Sequence, residues 1–522
     1  MSGPGPSQSV SVRQRPTESG PEPELRHLDR RLPLTESSTI AVLLLMVLGV
    51  VNVLWFNVFN FRTIMGDDVY AWALYASHPS FHDLFLTASG GKYRPVLSAA
   101  QYVLFHIFSS DYQAWVGFNV ALNFLIVCLL FALVRRLARG DNFVAFVAAL
   151  LYITSRFSYY NILQLMGLME ALCILFLVVI LYLAVEFMDN DGWWPGLALA
   201  GLFLVITLTH ERYIALFPFL ALLVVLRTGV SWRRKYVLLA LLCVSPVLNV
   251  VLKRVVFHTT FLMGTGGQAI GFDPVGVVKF MVHGFANMLW VNWGPDYLSG
   301  ITMSETGPGP RLLVGLIVIS LVTVVVFAGV RVVHLKDRRE RRSEAKGFAL
   351  WLVLFLSLLL AASITIRQEY RWLYAPFVVC LTYFCYHLAK LQWRTFLKYG
   401  VLVLLCVLTV TADSYYKRHE GGVFFFYGET VADSTYDATM GRYGQSMGER
   451  TMYVQAQPDM EWILGGTLFL SPYLGLDHRK IVWVDDLASM DIHAVDRKES
   501  MFFRVDPATG ALVDVTREIL GP

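Results

Sequence analysis

Two adjacent carboxylates, Asp67 and Asp68, follow Gly66 shortly after the apolar stretch 40–59, and two cations, Lys92 and Arg94, follow within about thirty residues. Ionised groups beside a bilayer are costly unless they are paired or used. A carboxylate held at the membrane boundary is suited to taking a proton from a hydroxyl, because burial can tune its pKa. A Lys/Arg pair is suited to a phosphate, Arg as a planar fork and Lys as a point charge. Together they point to chemistry on a lipid phosphate at the membrane surface. Plainer roles stay open: a solvated turn or helix N-cap for Asp67 and Asp68, and snorkelling anchors for Lys92 and Arg94 ahead of Pro95.

Two further groups belong to the same reading. His210-Glu211-Arg212-Tyr213 and Arg367-Gln368-Glu369-Tyr370-Arg371 each fall at the end of an apolar run, on the side opposite the basic loops. They read as phosphate ligands or as internally satisfied ion pairs. No His/Cys/Asp grouping has the spacing of a metal site, since His78 and His82 stand as a lone i,i+4 pair. A divalent cation is compatible with the residues, but no motif calls for one. No Ser-His-Asp arrangement and no nucleotide-binding loop can be argued; Met263-Gly264-Thr265-Gly266-Gly267 reads as turns.

The elements that must position these residues are membrane helices. The 522 residues are 56% hydrophobic and only 16% charged, with a mean hydropathy of +0.54. That excludes an ordinary soluble domain, and no nucleic-acid partner is expected. Apolar runs over 39–61, 113–134, 142–158, 165–187, 195–209, 214–228, 236–255, 310–332, 348–365, 372–389 and 399–413 predict about eleven spans. Drawing them first puts every strongly basic loop on one side: Arg135-Arg136, Arg233-Arg234-Lys235, Lys336 to Arg342, and Lys390 to Lys398. By the positive-inside bias that side is cytosolic. The N-terminus lies with it, while loop 62–112, loop 256–309 with Trp290 and Trp293, and everything after 413 lie outside. Residues 95–108 are too short to span and read as an interfacial helix. All six cysteines sit in apolar runs and read as small hydrophobes.

Three regions result: a disordered tail over 1–38, a membrane domain over 39–413 carrying the outer loop 62–112, and an extracytoplasmic region over 414–522. Runs such as Lys480-Ile481-Val482-Trp483-Val484 and Met501-Phe502-Phe503-Arg504-Val505, separated by turn signals, predict a small α+β domain in the last.

On four motifs in order the chain resembles the GT-C superfamily of polytopic glycosyltransferases, nearest to its protein O-mannosyltransferase-like and TMTC-like members. The motifs are Gly66-Asp67-Asp68, Lys92-Tyr93-Arg94-Pro95-Val96-Leu97-Ser98, Thr209-His210-Glu211-Arg212-Tyr213 with Pro218 beyond it, and Arg371-Trp372-Leu373-Tyr374-Ala375-Pro376. The resemblance covers about 39–410. It departs at His210, where the family often has Lys, and after 414, where no TPR repeats follow. It implies a polyprenyl-phosphate-sugar donor, an acidic residue as base, basic residues on the donor phosphate, and no cofactor. The expected reaction is inverting transfer of a sugar, a hexose such as mannose, to a hydroxyl of a glycan, lipid or protein on the extracytoplasmic face. Asp67 or Asp68 would be the base. Lys92, Arg94, Arg212, Arg367 and Arg371 would hold the phosphate, with Tyr93, His210, Glu211 and Glu369 in support. The rival readings are a glycan or lipid ligase of the same membrane type, a transporter, and a scaffold displaying the last domain. Spans nearly free of charge argue against a transporter.

Overall fold

The structure is a computed structural model that describes residues 37–57, 59, 62–78, 80–82, 92–158, 162–190, 192–256, 258, 273–291, 307–364, 370–391, 393–419, 424–457, 460–475, 477, 480–506 and 508–521. Of the expectations above, the tail 1–36, the glycine turn 263–267, Trp293, Arg367 and Glu369 lie outside these residues.

The membrane part is a bundle of helices, α1 (Ser38–Phe56), α2 (Asp67–Ser77), α3 (Pro95–Phe108), α4 (Tyr112–Leu137), α5 (Asn142–Thr154), α6 (Leu168–Asp189), α7 (Trp194–Thr209), α8 (Phe217–Leu226), α9 (Trp232–Val251), α10 (Pro274–Met288), α11 (Pro308–Val333), α12 (Arg338–Ser363), α13 (Tyr370–Lys390) and α14 (Thr395–His419). Among the described residues eight helices are long and apolar enough to cross a membrane. Three segments expected to span come out shorter. They are α5, α7, and the 214–228 run, which splits into a 3-10 turn over Glu211–Leu216 and the ten-residue α8. Pro218 in the first turn of α8 explains the split, since proline starts a helix but cannot continue one that is already running.

Polar contacts sort to the two ends of the bundle. At one end Arg136 pairs with Glu186 and Asp189, Lys398 with Asp141, and Arg331 and Lys390 with Glu344, while Asn142 donates to the Ser37 carbonyl. These are the basic loops of the sequence, brought together. At the other end lie α2, α3, the Glu211–Leu216 turn and the first turn of α13. Short as it is, α5 runs from one end to the other: Asp141 before it pairs with Lys398, and Arg156 beyond it donates to the Asn287 carbonyl at 2.5 Å. The apolar interior is continuous along the bundle, with Leu48, Ile126, Leu130, Ile174, Phe203, Leu220 and Val378 all buried.

Beyond α14, helix α15 (Phe424–Ala438) leads to strands β1 (Thr451–Gln455), β2 (Ile481–Val484), β3 (Ser500–Val505) and β4 (Leu512–Asp514). They form one sheet in the order β2-β1-β3-β4, parallel between β1 and both neighbours and antiparallel between β3 and β4. Both strand-like runs of the sequence are strands here, and β3 buries five of its six residues, as a central strand covered on both faces does. The sheet region packs on the bundle end that carries α2: Arg62 and Thr63 bond Asp433, and the Gly66 N–H donates to the Ile463 carbonyl at 2.7 Å.

Candidate active site

The two carboxylates at the start of α2 have different surroundings. Both lie in its first turn, where the positive end of the helix dipole favours negative charge. Asp68 is fully buried. Its oxygens accept the backbone N–H groups of Leu165 and Met166, both at 2.8 Å, and the Tyr112 hydroxyl at 3.2 Å. Burial pushes its carboxyl up to about 7, against those hydrogen bonds, and the neighbouring Asp67 adds to the rise. Such a group pins a loop and is closed to an acceptor. Asp67 is half-buried, and one of its oxygens accepts the Trp462 indole N–H at 2.9 Å. Gly66 holds φ at +57° directly under the Trp462 ring, and a Cβ there would overlap it. The close approach and the left-handed backbone both require glycine.

The basic groups form a second cluster. Arg94, at the N-cap of α3, grips Glu211 with both arms: Nε at 2.9 Å from Oε2 and Nη2 at 3.1 Å from Oε1. Burial alone would raise the Glu211 carboxyl, but Arg94, with Lys253 beyond it, holds it well below the usual range. Arg212 pairs with Glu170 in the first turn of α6, and the Tyr213 hydroxyl donates to the same carboxylate at 3.0 Å. His210 accepts the Arg212 backbone N–H on Nδ1 at 3.2 Å, which assigns its hydrogen to Nε2, 3.7 Å from Glu170. Burial and the nearby Arg94 keep this imidazole neutral, well below its usual pKa.

Lys92 makes no hydrogen bond or ion pair with any described residue. Burial, with Arg94, Arg371 and Lys253 around it, lowers its ammonium to about 8, although Glu211 works the other way. Lys253 lies 3.8 Å from Glu211 and is fully buried, in the π turn Leu252–Val256 that ends α9. Five cations (Lys92, Arg94, Arg212, Lys253, Arg371) therefore surround two carboxylates (Glu170, Glu211) among the described residues, an excess of three positive charges. An excess of this kind, partly out of water, is arranged for an anion. Among the described residues no three His, Cys, Asp or Glu side chains converge as a metal site would require.

One stretch of chain ties the two clusters together. Asp68 holds the backbone at Leu165 and Met166, the Met169 sulfur takes Arg94 Nη1 at 2.9 Å, and Glu170 takes Arg212. Leu165 and Glu170 are five residue steps apart, which reach at most ~17 Å even when extended.

The structure thus brings Asp67, Asp68, Lys92, Tyr93, Arg94, His210, Glu211, Arg212 and Arg371 to one end of the bundle. Tyr93 is buried beside its neighbours in the motif. Sequence reasoning missed Glu170, Lys253 and Trp462. Lys253 carried a usable signal, an ionisable residue inside an apolar run. Glu170 and Trp462 carried none, because their partners are 42 and 395 residues away in the chain.

Fold and site define a multi-pass helical membrane protein with an acidic helix start and a cation-rich cluster at one end. No family model matches the chain, and no curated protein matches it. Solved structures similar to it include the oligosaccharyltransferase of Archaeoglobus fulgidus tethered with an acceptor peptide containing the NVT sequon, at 11% identity and a TM-score of 0.46 over 85% of this chain. The chain spans 64% of that enzyme's length. ArnT from Cupriavidus metallidurans is similar in its apo state (14% identity, TM-score 0.48, 90% of this chain and 94% of that one). Its form bound to undecaprenyl phosphate is similar too (13% identity, TM-score 0.46, 91% and 94%). These are likenesses in the course of the backbone, and no residue role is carried over from them.

Proposed function

We propose that the protein is an integral-membrane glycosyltransferase moving one sugar, a hexose such as mannose, from a polyprenyl phosphate to an acceptor hydroxyl on the extracytoplasmic face. The observation that carries this reading is the excess of three positive charges around Glu170 and Glu211 among the described residues, tied by residues 165–170 to the acidic start of α2. In this reading Asp67 is the base, since Asp68 is closed off. The Asp67 carboxylate takes the acceptor proton as the hydroxyl oxygen attacks the anomeric carbon. The bond from that carbon to the phosphate oxygen breaks on the opposite face, which inverts the configuration, and polyprenyl phosphate leaves with the bonding electrons. Lys92, uncommitted to any described carboxylate, meets the phosphate with Arg371 beside it. Arg94 and Arg212 are each held by a carboxylate and add field to the charge that grows on the leaving oxygen. The basic loops at the far end support an orientation with that end in the cytosol and the site outside, together with the region after 413.

The test is turnover by the purified full chain against a panel of polyprenyl-phosphate sugars, read as release of the lipid phosphate. Asp67→Asn is expected to lower turnover by about 10²–10⁴-fold, the usual worth of a general base, with donor binding kept. Absence of turnover with every donor, or full activity of Asp67→Asn, would refute the proposal.

A further inference from the structure

Between α11 and α12 the helices leave a slot that runs from Glu344 and His387 at the basic end inward to Phe377 and Trp290. Helices α11 and α12 follow one another across the short turn 334–337, yet they barely meet. α11 packs on α13 and α14, while α12 packs on α10 and α13. The wedge between them is a cavity of about 660 Å³ floored by α13 from Phe377 to His387. Ten residues of helix make it ~15 Å long, parallel to the spans. Its walls are apolar, and Val325 and Phe348 at its rim are exposed on the outer surface of the bundle.

Two observations indicate what fills it. The first is a set of buried polar atoms without partners among the described residues: Trp351 Nε1 and His387 Nδ1 in the wall, and Arg331 Nη1 at the adjoining end. His387 is 92% buried, being 8% exposed. Buried donors and acceptors are rarely left unpaired, and interiors packed like crystals do not keep voids of this size empty. The second is charge. Arg331 and Lys390 close the end of the slot, bound to Glu344 at 2.8 and 2.7 Å, with Glu340 at 3.8 Å from Arg331. The adjoining segment adds Lys336, Arg338, Arg339, Arg341 and Arg342 against Asp337. Arg331, Lys390 and the segment 336–342 together carry seven cations, against three carboxylates at Asp337, Glu340 and Glu344. At this depth water is not available to fill an apolar wedge, and hydrocarbon is.

We propose that the slot holds one tail of an anionic phospholipid from the leaflet on the basic-loop side, with its phosphate against the Arg331–Lys390 end and the 336–342 segment. The ester oxygens next to the tail then meet the unpartnered His387 and Trp351 nitrogens. Basic pockets between spans on this side suit such headgroups. The charged end of the slot lies away from the Lys92–Glu211 cluster and no residue of that cluster lines the slot, so the proposal stands or falls apart from the transferase reading.

The experiment uses the full chain, reconstituted in nanodiscs of equal phosphatidylglycerol and phosphatidylcholine, released gently and weighed by native mass spectrometry. Wild type is expected to retain one phosphatidylglycerol in clear preference to phosphatidylcholine. Gly329→Trp is the plug: a Cβ at Gly329 meets nothing within 4 Å, so the ring can enter the slot. It is expected to cut retention at least tenfold with an unchanged melting temperature. A second variant, Arg338→Gln/Arg339→Gln, alters two exposed cations outside the packed core and is expected to remove the preference for the anionic lipid. Equal retention of both lipids by wild type, full retention by Gly329→Trp, or displacement of phosphatidylglycerol by added polyprenyl phosphate would each overturn the proposal.

Discussion

Replacing Asp68 by Asn tests the division of labour between the two carboxylates. In the folded protein burial raises the Asp68 carboxyl to about 7, whereas the unfolded chain returns it to its ordinary 3.8. Its folded pKa is the higher one, so the group's contribution to stability is fully present below about pH 4 and is lost as pH rises through about 7. The gap of about three units corresponds to ~4 kcal/mol at ~1.36 kcal/mol per unit. Spread over the unfolding entropy of a chain this size, that is on the order of 4 °C in melting temperature. Asn keeps the volume and one acceptor but cannot ionise. About one of those three units is already lost at pH 5, so wild type should melt about 2–3 °C lower, relative to Asp68→Asn, at pH 8 than at pH 5. Glu429, which burial also raises to about 7, titrates in both proteins and cancels in the comparison. The assay is intrinsic tryptophan fluorescence of both proteins in the same detergent, scanned at several pH values and one heating rate. Parallel profiles from pH 5 to 8 would mean that Asp68 stays ionised throughout, and the rise that burial gives its carboxyl would be refuted.

Lys92 should give the donor site an alkaline limit. Its ammonium is lowered to about 8, so donor affinity measured by titration should fall as pH rises past 8, and Lys92→Gln should bind about tenfold more weakly with that dependence gone. Glu211→Gln leaves Arg94 and Lys253 buried without their carboxylate, which should cost about 3–5 kcal/mol and show as a lower melting temperature. Gly66→Ala forces a side chain into the Trp462 ring at a left-handed position; limited proteolysis should then release the region after 413 faster than in wild type. Trp462→Phe keeps the packing and removes the indole N–H, so kcat should fall more than the melting temperature does.

Parts of the fold were legible because membrane helices are written locally. An apolar run of span length must hydrogen-bond within itself wherever it enters hydrocarbon, and the runs 113–134, 310–332 and 348–365 could be placed without knowing their neighbours. The shortening of the 214–228 run was also available, in Pro218. Strands β2 and β3 were visible as runs, but the order β2-β1-β3-β4 was not, since parallel pairing joins segments far apart in the chain.

The site divides the same way. Residue type and membrane side brought Asp67, Asp68, Lys92, Arg94, Glu211 and Arg371 into one list, and this much the amino-acid sequence determined by itself. Which carboxylate is closed and which is half-open was decided by partners 97 and 395 residues away, the Leu165 amide on Asp68 and the Trp462 indole on Asp67. The sequence leaves the two aspartates equivalent, both acidic and both in one turn. Burial separates them, and burial is a property of what packs against a side chain. The same holds for Lys92 and Arg94: their charges are equal in the sequence, but only the folded chain commits Arg94 to Glu211 and leaves Lys92 uncommitted among the described residues.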